Sequence, residues 1–320
     1  MMDFKQQFAD LIDSNLSEDE AVNFLLQINE QGYSEEVFAA AVDALKQRMK
    51  KIKAPAGAID ICGTGGDKLG TLNVSTACCF VLAACGVKIA KHGNKAISSQ
   101  SGSADIFKQL GVQVNDNEKE IVKSLEDHNL SFLFAPFFHA SLKNIANIRL
   151  KIAKEHNQVT IFNYLGPLLN PANTKKQLIG VSKKEIIRPM AQFLATDPQM
   201  SAYIIHGFDN MDEITICDKS YLLEVKNGQV LPEQIIDPQD YGFQLADLQQ
   251  IKGGDVTYNA EKLIALLSGE KSAYRDIVVL NCAFALKLAE KVDSIEQGIS
   301  LAKDIIDQGQ AKKVLEQLRV

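Results

Sequence analysis

The chain has 320 residues, 46% of them hydrophobic and 23% charged, a composition typical of globular proteins and long enough for about two domains. Its net charge of −6 disfavours broad contact with a nucleic-acid backbone, which requires a basic surface. The longest apolar stretch, around residues 77–84, is too short to span a bilayer and no signal peptide is recognisable at Met1 to Gln6, so a cytoplasmic location is expected.

The first fifty residues read as helices. Ser17-Glu18-Asp19-Glu20 has the pattern of a capping box, with the hydroxyl and the carboxylate three residues apart. A second helix is predicted to start at Ser34, carry Glu35 and Glu36 in its first turn and end through Lys46, Arg48, Lys50 and Lys51. Acid at the start and base at the end both suit the helix dipole. The basic run to Lys53 therefore reads as a solvated helix end rather than a nucleic-acid patch. Ala54-Pro55-Ala56-Gly57 breaks the pattern and marks a domain boundary.

From Ala58 onward strands, loops and helices alternate. Strands are predicted over residues 58–62, 87–90, 132–134, 178–181 and 202–206, with helices over 75–85, 104–110 and 118–128. This alternation predicts an α/β fold with parallel strands and helices packed on the sheet. Residues 213–217 and 221–225 read as the two arms of a β-ribbon turning at Asp218-Lys219, and from Asn259 the chain returns to helices, broken at Gly269 and Gly309. Cys62, Cys78, Cys79, Cys85, Cys217 and Cys282 form no Cys-x-x-Cys and read as reduced core thiols.

Several polar segments fall at predicted strand ends, where open α/β sheets bind ligands. Ala58-Ile-Asp-Ile-Cys-Gly-Thr-Gly-Gly-Asp67 is an apolar strand closed by a glycine turn just before a helix. Such a turn is either a plain strand-to-helix connection or an anion site built from backbone N–H groups. It is neither a Walker loop nor a dinucleotide fingerprint. Thr71-Leu-Asn-Val-Ser-Thr76 follows it, with Ser75 or Thr76 as a candidate helix cap. Lys91-His-Gly-Asn94 and Ser98-Ser-Gln-Ser-Gly-Ser103 form a donor-rich stretch that suits a pyrophosphate or is a solvated serine loop. Asp212-Glu213 is either an exposed acidic pair or a source of hard oxygen ligands for Mg²⁺. His139 and Arg149 flank a predicted helix, and Arg149 is either a surface charge or a fork for a substrate carboxylate.

Taken in order, Asp60 to Asp67, Thr71 to Thr76, Lys91 to Asn94, Ser99 to Asp105, Ile161 to Pro171 and His206 to Glu213 resemble the anthranilate phosphoribosyltransferases. The resemblance spans nearly the whole chain and rests on the joint order of the motifs. It implies the nucleoside-phosphorylase class II fold of glycosyltransferase family 3, with a discontinuous small α-helical domain and a large α/β domain whose central, mostly parallel sheet is flanked by helices. The small domain would comprise residues 1–56 with a second piece about 138–168, and the large domain residues 57–137 and 169–320.

The substrates implied are phosphoribosyl pyrophosphate (PRPP), with Mg²⁺, and anthranilate. Around PRPP the resemblance places Gly63, Gly66, Asp67, Thr71, Asn73, Val74, Ser75 and Thr76 from the first two segments. From the next it places Lys91, His92, Gly93, Asn94, Lys95, Ala96, Ile97, Ser98, Ser99 and Ser103. Ser75, Asp212 and Glu213 would hold Mg²⁺. Gly63, Asn94 and Arg149 would contact anthranilate, with His92, His139 and Pro167 lining its path. Lys91, Asp67 and Arg149 would carry the catalytic charge. A homodimer is also implied, with no nucleic-acid or membrane partner.

Three departures from the family pattern stand out. Lys95 occupies the place of an arginine, the loop between Arg149 and Pro167 is a few residues longer, and Asn157-Gln158-Val159-Thr160 replaces Gly-x-Arg-Thr. Two of the three lie on the acceptor side, so a relative using another aromatic acceptor is the alternative that they raise. A pyrimidine nucleoside phosphorylase would need its own lysine and serine signature, which this order lacks. A catalytically silent nucleic-acid-binding homologue should have lost the Gly-Thr-Gly-Gly-Asp or Asp-Glu motif, and both persist.

Overall fold

The structure is a computed structural model that describes residues 3–95 and 101–319. Three helices open the chain: α1 (Phe4–Ile12), α2 (Glu18–Gln31) and α3 (Glu35–Lys46). The expected capping box starts α2. Ser17 Oγ accepts the N–H of Glu20, and Glu20 Oε2 accepts that of Ser17 at 2.9 Å. Ser34 caps α3 in turn. That helix ends at Lys46, earlier than the sequence suggests, because Arg48 turns back to donate to the Ala44 carbonyl at 2.7 Å and pairs with Asp13. Lys50 lies against Asp116 and the Lys53 N–H donates to Glu118, so the basic run is tied down residue by residue.

Next come β1 (Ile59–Gly63), α4 (Val74–Ala84), β2 (Ile89–Gly93), α5 (Ser103–Gln109), α6 (Glu118–Asp127), β3 (Leu130–Phe134), the single turn α7 (Ala135–Phe138) and α8 (Ala146–His156). Then follow β4 (Lys176–Gly180), α9 (Ile187–Ala195), β5 (Ser201–Gly207), β6 (Ser220–Lys226), β7 (Gln229–Val230) and β8 (Gln234–Ile236). Four helices close the chain: α10 (Val256–Leu267), α11 (Ala273–Leu288), α12 (Ile295–Asp307) and α13 (Gln310–Leu318). The sheet order is β3-β2-β1-β4-β5-β6-β7, with β8 also on β6. The first five strands are parallel, and β6 pairs antiparallel with β5, β7 and β8.

Alternation along the strands divides the core. Ile59, Ile61, Ile89, Phe132, Leu178 and Ile205 pack on one face with α4, α11, α12 and α13. Ile179, Val181, Ala202, Ile204 and Leu223 pack on the other with α9, the N-terminal helices and the Ile145 to Leu169 segment. Helix α4, VSTACCFVLAA, has mediocre helix propensity, a handicap of roughly 0.5 kcal/mol per residue. Full burial of Phe80, Val81 and Leu82 outweighs it, at about 1.5–3 kcal/mol per large side chain.

The expected ribbon does not form as read. Residues 213–217 are not a strand, and the antiparallel partner of β6 is β5. The backbone groups of this segment are satisfied by side chains instead. Asn281 Oδ1 accepts the Ile214 N–H at 3.1 Å, its Nδ2 donates to the Ile214 carbonyl at 2.8 Å, and Ser220 Oγ accepts the Thr215 N–H at 3.0 Å. The C-terminal helices show one break beyond the two expected, between α11 and α12, where Glu290 takes a left-handed φ of +59°.

Candidate active site

Four neighbouring strands, β1, β2, β4 and β5, end in glycine at Gly63, Gly93, Gly180 and Gly207. Two of these are dictated by the loop over residues 208–213. A Cβ on Gly180 would stand 1.5 Å from the Asp212 carbonyl oxygen, and one on Gly63 would stand 2.2 Å from Asp212 Oδ2. With no side chain there, the loop folds onto the ends of β1 and β4. Asp212 Oδ2 then accepts the N–H of Gly65 at 2.7 Å. The acidic pair is therefore delivered to the glycine turn and is not an exposed face.

Carboxylate oxygens of Asp67, Asp212 and Glu213 lie within 4.8 Å of one another. Burial, then the charge of Asp212, pushes the Asp67 carboxyl up to about 6. Burial raises Asp212, against the Gly65 N–H, and raises Glu213 well above the carboxylate range, with Asp212 and Asp67 adding to it. Glu213 Oε2 is buried with no hydrogen-bond partner among the described residues. Three crowded acids, one with an orphaned oxygen, form a donor set that a hard divalent cation fits.

Thr71 to Thr76 leads into α4, where Asn73 is the N-cap residue, Ser75 stands at the second helical position and Thr76 at the third. The expectation that Ser75 or Thr76 caps the helix fails, since neither precedes it. Asn73 makes no capping bond, so the first-turn N–H groups are left without a side-chain acceptor. Lys91, on β2, is buried and donates to the Ile61 carbonyl of β1 at 2.6 Å. Asn94 and Lys95 are exposed just past β2, and Ser103 Oγ donates to the Asn94 carbonyl at 3.4 Å. The expected donor residues Ala96, Ile97, Ser98 and Ser99 lie outside the described residues.

On the acceptor side, His92 Nδ1 stands 3.0 Å from the Gly166 carbonyl and His92 Nε2 stands 3.2 Å from His139 Nε2. A carbonyl only accepts, so His92 carries its proton on Nδ1 and receives the N–H of His139 at Nε2. Burial pushes His92 down to about 3, with His139 adding to it, and burial pushes His139 down to about 4. Both rings are neutral at physiological pH. Arg149 falls inside α8, not beyond a helix end as expected, because α8 starts only at Ala146. Its Nη2 donates to Asn163 Oδ1 at 3.4 Å, and its buried Nε has no partner among the described residues. The Pro167 carbonyl accepts from Gln177 at 2.7 Å, and Asn170 donates to Asp60 Oδ2 and to the Ala90 carbonyl, both at 2.8 Å. Sequence reading gave no role to Asp60 or Asn170. Together they fasten the Ile161 to Pro171 segment beneath β1 and β2.

A cleft of about 1370 Å³ opens between α2, α3 and the sheet edge, lined among others by Gly66, Asp67, Tyr33, Asn163 and Val159. The altered segment at 157–160 forms part of its wall. Asn157 takes a left-handed φ of +50° where α8 stops, the conformation glycine adopts most freely and asparagine tolerates. Asn29 of α2 donates to Gln158 Oε1 at 2.8 Å and to the Val159 carbonyl at 2.7 Å, and Tyr33 OH donates to Asn29 Oδ1 at 2.7 Å. These contacts clasp residues 158–159 against α2.

Residues 56–312 match the model of the glycosyl transferase family, a/b domain. The chain is 37% identical over 318 residues to the anthranilate phosphoribosyltransferase of Bradyrhizobium sp. (strain ORS 278), spanning 98% of this chain and 93% of that protein. The chain belongs to the anthranilate phosphoribosyltransferase family. Its relative of the same name in Thermoanaerobacter sp. (strain X514) is 41% identical over 288 residues, 90% of this chain and 84% of that one. Among solved members, the crystal structure from Thermus thermophilus superposes with a TM-score of 0.90 at 31% identity, covering 98% of this chain and 93% of that one. The Saccharomyces cerevisiae enzyme in complex with PRPP and Mg gives 0.88 at 28% identity, covering 99% and 91%. The family fold, with its mostly parallel sheet flanked by helices, is the fold described above.

Proposed function

We propose that the protein transfers the phosphoribosyl group of 5-phosphoribosyl 1-pyrophosphate to the amine of anthranilate, giving N-(5-phosphoribosyl)anthranilate and pyrophosphate, the second step of tryptophan biosynthesis from chorismate. The observation that carries this reading is the carboxylate cluster of Asp67, Asp212 and Glu213, set at a glycine turn in a member of this family.

On the donor side, Asp67, Asp212 and Glu213 are assigned to Mg²⁺, together with Ser75 of the α4 first turn. When bound, the ion supplies positive charge against the charge that grows on departing pyrophosphate. The N–H groups of Gly66 and the α4 first turn face the same anion, with Thr71, Asn73 to Thr76, Lys91 to Lys95 and Ser103 around it. Lys91 contributes a buried cation to that side. On the acceptor side, Arg149 takes the anthranilate carboxylate, Gly63 and Asn94 meet the ring and its amine, and His92, His139 and Pro167 form neutral walls. The amine nitrogen attacks the ribose C1 carbon as the C1–oxygen bond breaks and its electron pair leaves with pyrophosphate. The nitrogen then sheds a proton. An arylamine is already neutral at pH 7, so positioning and electrostatics carry the rate, the former worth up to about 7–11 kcal/mol.

The division into a small helical domain, residues 1–56 with about 138–168, and a large α/β domain belongs to the same reading. It is supported by the contacts of α8 and its neighbours with the N-terminal helices: Phe162 packs on Phe8 at 6.1 Å, and Lys151 reaches Glu18 at 2.5 Å. A homodimer and a cytoplasmic location complete it. No helix among the described residues is long and apolar enough to cross a membrane.

The test mixes purified protein with anthranilate, PRPP and Mg²⁺ and follows loss of anthranilate fluorescence. Loss that requires all three components is expected; PRPP binding without loss would retain the donor and move the acceptor to another aromatic amine. The Asn29 clasp gives a finer prediction. Asn29→Ala is expected to raise the KM for anthranilate roughly three- to tenfold, the worth of one or two hydrogen bonds, with the KM for PRPP within about twofold. Steady-state kinetics with each substrate varied in turn checks it.

A further inference from the structure

We infer that Asn259 is a positioning residue for the phosphoribosyl donor, acting by holding the Asn73 side chain away from the end of its own helix. The inference rests on the donor assignment above and extends it to a residue 186 positions away in the chain.

Asparagine is among the best N-cap residues because its side-chain oxygen readily accepts an N–H of the first helical turn. Asn73 occupies the N-cap of α4 yet makes no such bond. Its carboxamide is held elsewhere. Asn259 Nδ2 donates to Asn73 Oδ1 at 3.1 Å, Ser101 Oγ donates to the same oxygen at 3.1 Å, and Asn73 Nδ2 donates to the Ser101 carbonyl at 3.2 Å. Asn259 Nδ2 also reaches Ser101 Oγ at 2.7 Å, and its Oδ1 accepts the Gly254 N–H at 2.8 Å. Asn259 is 3% exposed, and every polar atom of its side chain is engaged. Tyr274 OH fixes the backbone at the same point by donating to the Asn73 carbonyl at 3.0 Å.

The segment before Asn259 is stitched to the donor loop as well. The Leu72 N–H donates to the Ile251 carbonyl and the Gly253 N–H to the Gly70 carbonyl, both at 2.9 Å. Lys252 Nζ donates to the Leu69 carbonyl at 2.6 Å. A Cβ on Gly253 would lie 2.7 Å from the Thr71 carbonyl oxygen, so the two strips of backbone touch directly. Residues 251–259 thus brace the donor loop from behind, and Asn259 ties it to Ser101 at the start of the α5 segment. The Val74 N–H is taken by the Leu72 carbonyl at 2.8 Å, so this keeps the remaining first-turn N–H groups of α4 free of the Asn73 side-chain oxygen and sets them in register with Ser101. Released from Asn259, Asn73 would turn onto its helix and occupy the acceptor position that a phosphate oxygen takes.

Asn259→Asp tests this, since the isosteric carboxylate still accepts from Gly254 but donates nothing to Asn73 or Ser101. The expected result is a rise of about tenfold in the KM for PRPP, with the KM for anthranilate within twofold, and no further rise when Asn259→Asp is added to Asn73→Ala. Ser101→Ala, which removes one donor to Asn73 without placing a charge in the core, should give the same selective rise at roughly threefold and serves if the first variant fails to fold. Hydrogen exchange without ligand should show loosening confined to residues 69–76 and 101–105. A change in both KM values by one factor, full additivity with Asn73→Ala, or unaltered exchange over residues 69–76 would overturn the inference. The exchange readout needs no substrate, so absence of PRPP turnover in the unaltered enzyme would remove the functional reading while the exchange still decides the role of Asn259.

Discussion

Replacing Asp212 by Asn together with Glu213 by Gln is expected to lower kcat about 10³-fold and, in the same protein, to raise stability in the absence of metal. The two effects have one cause. Burial holds Asp67, Asp212 and Glu213 above the ordinary carboxylate range, Asp67 at about 6 against 3.8, and neighbouring carboxylates push Asp67 and Glu213 further up. An acid whose pKa is raised by folding binds its proton more tightly in the native state. Its contribution to stability is therefore fullest below its unfolded pKa and is lost as pH rises through the folded one, for Asp67 from about 4 through about 6. At pH 8 the metal-free cluster opposes folding, and neutral amides of the same shape remove most of that opposition. Mg²⁺ acts in the other direction, because it binds the ionised cluster only in the native state and so stabilises it by mass action. Thermal unfolding at pH 8 with and without Mg²⁺ checks both halves: the double variant should melt higher than the parent without metal and should gain little when Mg²⁺ is added. Unchanged turnover together with an unchanged response to Mg²⁺ would remove the metal assignment.

How much of this was legible in the sequence follows from what each element depends on. Strands β1, β2, β4 and β5 are short runs closed by glycine and β3 runs into a proline turn, so local pattern is enough to find them. The reading failed at residues 213–217, where Ile214 and Ile216 alternate with polar residues as a strand would. The partner that decided otherwise, Asn281, lies 67 positions away, and its carboxamide satisfies both backbone groups of Ile214. The site divides in the same way. Segments assigned to the two substrates carry recognisable glycines, hydroxyls and charged residues. Residues that brace those segments, such as Asn259, Asn170 and Asn29, are ordinary asparagines whose importance is a matter of long-range contact. The Gly253-Gly254 pair was the one local signal near Asn259, and it reads equally well as a turn. Arg149 was found as a residue but misplaced in its helix, since the short helical turn over Ala140–Ile145 hid where α8 begins.

Arg149→Ala is expected to raise the KM for anthranilate about 10²-fold while leaving that for PRPP within twofold. Its guanidinium is largely buried and, among the described residues, has a single long contact with Asn163, no carboxylate partner and an orphaned Nε–H. Burying a cation in that state is costly unless an anion arrives, and arginine keeps its charge even where burial lowers its pKa. The two imidazoles assigned to the acceptor side cannot take over the task, because His92 and His139, at about 3 and 4, stay neutral near pH 7. Val159, standing where the family pattern has arginine, offers no charge either. In the proposed function Arg149 holds the acceptor carboxylate without a second cation from that loop, so removing it is expected to forfeit charge-assisted hydrogen bonds worth about 1.5–3 kcal/mol. Arg149→Lys should recover part of the affinity but not the two-point grip of a planar fork, leaving the KM about tenfold high. Aniline, which lacks the carboxylate, supplies the control: the parent enzyme and Arg149→Ala should handle it equally poorly. Equal losses for PRPP and anthranilate, or a parent enzyme indifferent to the carboxylate, would place the acceptor's anchor elsewhere and turn attention to the clasped loop from Asn157 to Thr160.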